Sequence, residues 1–210
     1  MKIALVQFNA GPDKSENIRR ALSFVDAASR KARFILLPEA FHYRGDLARP
    51  ENLRAAAEKI PGDSLKPLMA LARQRKVFIL AGSIIETSGK KGKAYNASVL
   101  INPSGGVQRV YRKIHLFDAR LKTVSLKESK IFLAGKSPVM GKVDEFKVGM
   151  SVCYDLRFPG LYQYYRRAGA HIVTVPSCFT RMTGRAHWEV LLRARAIENQ
   201  CYVLAPNQIG

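Results

Sequence analysis

Three side chains in this sequence share one local setting, and together they would make a complete hydrolytic set. Glu39 follows the apolar run Phe34-Ile35-Leu36-Leu37-Pro38, Lys113 follows Val107 to Arg112, and Cys153 follows Val148-Gly149-Met150-Ser151-Val152. Where helices cover a sheet, ligands bind beyond the carboxyl ends of the strands, because the loops diverge there. A carboxylate, an ammonium and a thiol meeting at such an edge would supply a base, a cation and a nucleophile. The thiol needs such help, since a pKa of about 8.5 leaves it mostly protonated at neutral pH. Plainer roles exist for each: Cys153 as a small buried apolar residue, Glu39 as a turn or cap, Lys113 as a solvated charge. The separations along the chain carry no periodic meaning and do not choose between the two.

The elements that would position these residues alternate from the first residue. Residues 3–8 read as a buried strand. Ser15 can cap a helix that places Ile18, Ala21, Leu22, Val25 and Ala28 on one face. Phe34–Leu37 is a short strand stopped by Pro38, and helices near 51–59 and 64–75 are separated by Pro61-Gly62. Val77–Gly82 is a further strand. Residues 94–102 and 107–112 flank Pro103-Ser104-Gly105-Gly106 and read as a hairpin. The weakly periodic stretch from Lys113 to Pro138 reads as a long ordered loop. Strands at 146–152, 171–175 and 201–206 then alternate with helices at 159–168 and 187–199. Strands separated by helices, plus a hairpin, imply a mixed α/β sheet structure covered by helices. With no repeat or linker, residues 1–210 read as one domain. A core strand at 201–206, so near the last residue, suggests that a C-terminal portion is missing.

Composition narrows the class. Apolar residues make up 47% of 210 and charged residues 24%, as in a soluble globule, and no run approaches a membrane span. Three cysteines (Cys153, Cys178, Cys201) argue against a disulfide framework and for a reducing cytoplasm. The formal charge of +19 would suit nucleic acid, but the basic groups are scattered beside helix ends and turns rather than gathered in a block. The four histidines are far apart, which argues against a metal site. Gly105-Gly106 lacks the lysine and hydroxyl spacing of a phosphate loop. Cys178 and Cys201 have no base nearby in sequence and read as buried packing residues. His171 reads as a structural residue at a strand edge, and His187 and Trp188 as the packed start of a helix.

The surroundings of the three residues add a resemblance. Leu37-Pro38-Glu39-Ala40-Phe41, Tyr111-Arg112-Lys113-Ile114-His115-Leu116-Phe117 and Gly149 through Pro159 together resemble the nitrilase, or carbon–nitrogen hydrolase, superfamily. Thr183-Gly184-Arg185-Ala186-His187-Trp188-Glu189 and Arg193 through Asn199 strengthen the match, which runs from Lys2 to Gly210 in the family's order. Within the superfamily the chain is most similar to amidases acting on omega-amides of dicarboxylates and on deaminated glutathione. The resemblance implies a four-layer α–β–β–α sandwich in which Glu39 is the general base, Lys113 the cationic partner and Cys153 the nucleophile. It matches Glu128 to a second glutamate that holds the lysine and the substrate. It also implies a thioester intermediate, no cofactor and a homodimer formed through a helical face. Gly160 stands where close relatives often have a glutamate, and relatives continue past the point where this chain stops.

The substrate this implies is a small amide bearing a carboxylate. The backbone N–H of Tyr154 would help hold the oxyanion, and Arg157 is available for a remote carboxylate, unless it forms a structural ion pair with Asp155. Tyr43 and Phe179 would line the pocket. Two alternatives stand beside this reading. One is another superfamily reaction: hydrolysis of a nitrile, carbamoyl group or aliphatic amide, or acyl transfer. The other is a basic scaffold that has lost catalysis and binds nucleic acid or a partner.

Overall fold

Short apolar strands in this chain pair into sheets that helices cover. In the computed structural model, which describes residues 1–120 and 125–209, β1 (Ile3–Leu5) and β2 (Phe34–Leu36) lie parallel. β2 pairs in parallel with β3 (Phe78–Thr87), and β4 (Ala94–Ile101) and β5 (Val107–Arg112) complete the sheet as antiparallel neighbours. The second sheet runs β11 (Tyr202–Leu204), β10 (Ile172–Thr174), β9 (Phe146–Met150), β8 (Val139–Val143), of which only the β8–β9 pair is antiparallel. A small hairpin joins β6 (Asp118–Arg120) to β7 (Ser125–Lys127).

The period-two pattern of the strands decides the layering. Phe34, Leu36, Leu80, Leu100 and Tyr111 point from the first sheet onto Val148, Met150, Val152 and Ile172 of the second. Their neighbours Ile35, Leu37 and Ile79 point the other way, beneath α1 (Lys14–Ser29) and α3 (Lys66–Arg75). The short α2 (Pro50–Ala56) lies between these two in sequence. On the far side, Val173 and Val175 pack against Tyr162 and Tyr165 of α4 (Pro159–Arg167) and against Trp188, Leu191 and Leu192 of α5 (Arg181–Asn199). The architecture is the four-layer α–β–β–α sandwich.

Several boundaries differ from the sequence expectation. The first helix is capped by Asp13, whose carboxylate accepts from the Glu16 amide at 3.0 Å, and not by Ser15. The last helix begins at Arg181 rather than 187, because the Thr180 side chain caps the Thr183 amide. Gly184 in its first turn hides that start from a propensity reading. His187 and Trp188 therefore lie inside α5. β8 was missed since Val139-Met140-Gly141-Lys142-Val143 forms no apolar run; it exists by pairing with β9. The expected loop from Lys113 to Pro138 contains the β6–β7 hairpin, and its residues 121–124 lie outside the described residues. No helix among the described residues is long and apolar enough to cross a membrane.

Candidate active site

Glu39 lies just past β2, and three contacts fix its backbone. Gly82, in the bulge of β3 between Ala81 and Ile84, lets that strand press against the preceding carbonyls. A Cβ at residue 82 would lie 2.0 Å from the Leu37 oxygen and 2.3 Å from that of Pro38. Next to it, the Ser83 hydroxyl accepts from the Ala40 amide at 2.9 Å, where Ala40 is left-handed (φ 54°). From the far end of the chain, the Gln208 side chain donates to the Glu39 carbonyl at 2.8 Å and accepts from the Ala10 amide at 2.7 Å. Glu39 is 4% exposed, and its carboxylate accepts from Asn96 Nδ2 at 2.9 Å and from Lys113 Nζ at 3.0 Å.

Lys113 leaves β5 with its amide still paired to Asn96 at 2.8 Å, and its carbonyl accepts from Gly135 at 2.8 Å. Its side chain is 1% exposed, so it is not a solvated surface charge. It bridges Glu39 and Glu128, whose carboxylate lies 3.0 Å from Nζ. Glu128 is held in turn by the Phe117 amide at 2.7 Å. Burial alone would depress the Lys113 pKa. The two carboxylates outweigh it and hold the ammonium well above its ordinary value.

Cys153 occupies a left-handed corner (φ 49°) at the start of a short 3-10 turn, Cys153–Arg157, just beyond β9. Such a conformation in a residue with a Cβ costs of order 1–3 kcal/mol and needs support from its surroundings. Asp155 supplies that support, fully buried: it accepts from the Val152 amide at 2.9 Å, the Tyr111 hydroxyl at 2.7 Å and the His115 amide at 2.9 Å. The His115 ring, stacked on Phe158, adds Nδ1 at 2.7 Å from the same carboxylate. The Cys153 thiol shares one cavity with the Glu39 carboxylate and with Cys178. Burial and then the Glu39 charge push its pKa well above the usual range, against the opposing pull of Lys113. The resting sulfur is therefore a thiol, and its proton can leave only toward a base in contact with it.

Cys153 borders two cavities. One, of about 190 Å³, is lined by Glu39, Tyr43, Arg44, Asn96, Glu128 and Cys178 among others. The other lies toward Tyr154, Arg157, Phe179, Thr180 and Thr183. Arg157 does not pair with Asp155, whose oxygens are already occupied. Its guanidinium lies over the rings of Tyr154 and Phe179 and donates to His187 Nδ1 at 3.2 Å, with no carboxylate partner among the described residues. Glu39, Glu128, Tyr43, Cys153, Tyr154, Arg157 and Phe179 thus line this cleft and Lys113 lies behind it on Glu39 and Glu128, while Asn96, Ser83, Gln208, His115 and Tyr111 were missed. Nothing local marks those five: only the tertiary fold brings them to Glu39 or Asp155. Cys178, read as a packing residue, is half-buried and opens onto both cavities.

This chain has known likenesses. A model of the carbon–nitrogen hydrolase family matches residues 2–210. The chain is 42% identical over 212 residues to a deaminated glutathione amidase of Synechocystis sp., covering 99% of this chain and 77% of that protein. It is 38% identical over 205 residues to the omega-amidase NIT2 of Homo sapiens, covering 96% and 72%. Among solved structures, the NitFhit protein of C. elegans superposes with a TM-score of 0.88 at 32% identity, over 99% of this chain and 51% of that one.

Proposed function

The chain belongs to the carbon–nitrogen hydrolase family, and we propose that it cleaves a small carboxylate-bearing amide to an acid and ammonia through a thioester on Cys153. The observation that carries this reading is the buried ion pair of Glu39 with Lys113, in the cavity that Cys153 also lines. Glu39 takes the thiol proton as the sulfur attacks the amide carbonyl. Lys113 and the Tyr154 backbone N–H hold the oxyanion; one such donor is worth about 2.7–4 kcal/mol of barrier. Glu39 then protonates the departing ammonia and activates water against the thioester. Glu128 keeps Lys113 oriented without taking part in proton transfer.

Arg157 is the partner for the remote carboxylate of the substrate, with Tyr43 and Phe179 shaping the walls. Its lack of a carboxylate partner among the described residues favours an anionic amide over a nitrile or a neutral aliphatic amide. The names of the relatives, an omega-amidase and a deaminated glutathione amidase, support the same class. A catalytically dead scaffold would have no need of a lysine buried between two carboxylates. We read residues 1–210 as one catalytic domain acting in the cytoplasm. It pairs with a second copy through α5, which exposes Met182, Val190 and Ile197. Steady-state assays on an omega-amide, its decarboxylated analogue, a nitrile and an N-carbamoyl compound test the reading. The omega-amide should be the best substrate; preference for the nitrile or carbamoyl compound would move the assignment elsewhere in the family.

A further inference from the structure

Cys178 has no part in the hydrolytic scheme, yet it shares the cleft with the nucleophile. Just before it, Ser177 is pinned in the sheet: its amide donates to Pro206 at 2.9 Å, its carbonyl accepts from Gln208 at 3.0 Å, and its hydroxyl donates to Val175 at 2.9 Å. The Cys153 amide donates to Pro176 at 3.0 Å and the Ser151 amide to Thr174 at 3.1 Å, so the two segments run side by side. The Cys178 amide pulls the Cys153 pKa down against the larger effect of burial. Both side chains line the same two cavities. A disulfide requires Cα atoms within about 7 Å, and Cys178 stands two residues beyond the Pro176 carbonyl that accepts from the Cys153 amide.

We propose that Cys153 and Cys178 form a reversible redox pair, closed by a peroxide, that masks the nucleophile and protects it from irreversible oxidation. Cys153 passes its proton to Glu39 and takes one oxygen from the peroxide, which leaves as water or alcohol, so the sulfur becomes a sulfenic acid. The Cys178 sulfur attacks that of Cys153: the S–S bond forms, the S–O bond breaks, and the hydroxyl departs with the Cys178 proton as water. Two thiols and one peroxide give one disulfide, one water and the reduced peroxide. A low-molecular-weight thiol reverses it by exchange. Order matters here. Burial raises the Cys178 pKa to about 11, so it is a poor first target, whereas Cys153 shares its cavity with the Glu39 carboxylate. Cys201 is the internal control: its sulfur lies 4.0 Å from the Arg195 carbonyl, at the junction of α5 and β11.

The test treats the full chain with hydrogen peroxide, blocks free thiols and maps peptides by mass spectrometry, a readout that does not depend on amide hydrolysis. A peptide joining residues 153 and 178, lighter by two hydrogens and released by dithiothreitol, is expected in wild type and in Cys201→Ser. In Cys178→Ala and Cys178→Ser that peptide should be absent. Dithiothreitol-resistant sulfinic acid at Cys153 should then accumulate about tenfold faster than in wild type. Should either variant fail to fold, the linked peptide in wild type decides alone. Wild type that yields no such peptide, or links residue 153 to 201 instead, would overturn the proposal.

Discussion

The floor and the rim of the cleft are built on opposite principles. On the floor, Glu39, Lys113 and Asp155 are 4%, 1% and 0% exposed, and each has its polar atoms occupied by neighbours up to 169 residues away in sequence. On the rim, Arg44 and Arg157 face the cavities with no carboxylate partner among the described residues. A buried polar group left unpaired costs about 1–3 kcal/mol, so the floor tolerates little change, whereas the rim is open to a ligand. The proposed function assigns the chemistry to the floor and the choice of substrate to the rim. Floor variants should therefore lower kcat and rim variants raise KM.

The sharpest way to break that division is to remove the nucleophile. Cys153→Ala should lower kcat on an omega-amide by a factor on the order of 10⁵ or more, with the fold unchanged by circular dichroism. Substantial turnover in that variant would mean that the floor is not where the reaction happens. Gly82→Ala removes no catalytic group but pushes the strand against the carbonyls of Leu37 and Pro38. A displacement of Glu39 by about 1 Å should cost about a hundredfold in kcat, read by steady-state kinetics. Unchanged kcat would show that the Gly82 approach does not set the position of the base.

On the rim, Arg157→Ala should raise KM for the omega-amide about tenfold to a hundredfold with little change in kcat, the loss of one charge-assisted hydrogen bond. The decarboxylated analogue should be almost indifferent to the change. Equal losses for both substrates would assign Arg157 to structure rather than selectivity.

A separate effect, on stability and not on turnover, belongs to the floor's surroundings. His42 is fully buried beside the floor, and burial holds its pKa down at about 3. A histidine with a depressed folded pKa contributes nothing adverse above its unfolded value of about 6.5. Below that, the unfolded chain binds a proton that the folded chain refuses, so stability falls by about 1.4 kcal/mol per pH unit until pH is near 3. Urea unfolding of wild type and His42→Gln between pH 7 and pH 4 measures this, and the variant should show the shallower loss. Parallel slopes would mean that His42 is not the group responsible.

The same contrast explains what could be read from the chain alone. Floor residues sit at strand ends inside distinctive runs such as Leu37-Pro38-Glu39 and Ser151-Val152-Cys153-Tyr154-Asp155, so local pattern and resemblance converge on them. Their supports are silent. Asn96 looks like any polar residue in a strand, and Gln208 reaches Glu39 only because the two sheets stack. Asp155 was weighed as a partner of Arg157, but Tyr111 and His115 arrive from β5 and the segment after it to claim it, which frees the guanidinium for the rim. Strand β8 and the first turn of α5 were invisible for a related reason: one is made by pairing, the other by a side-chain cap.

The claim underneath all of this is that Cys153 carries the acyl group during turnover. Acid-quenched wild-type protein mixed with an omega-amide, digested and weighed, should show the acyl mass on the peptide containing Cys153. Hydroxylamine added before the quench should release it as a hydroxamate. Sustained ammonia release with that peptide unmodified, or with the acyl mass on another residue, would contradict the account.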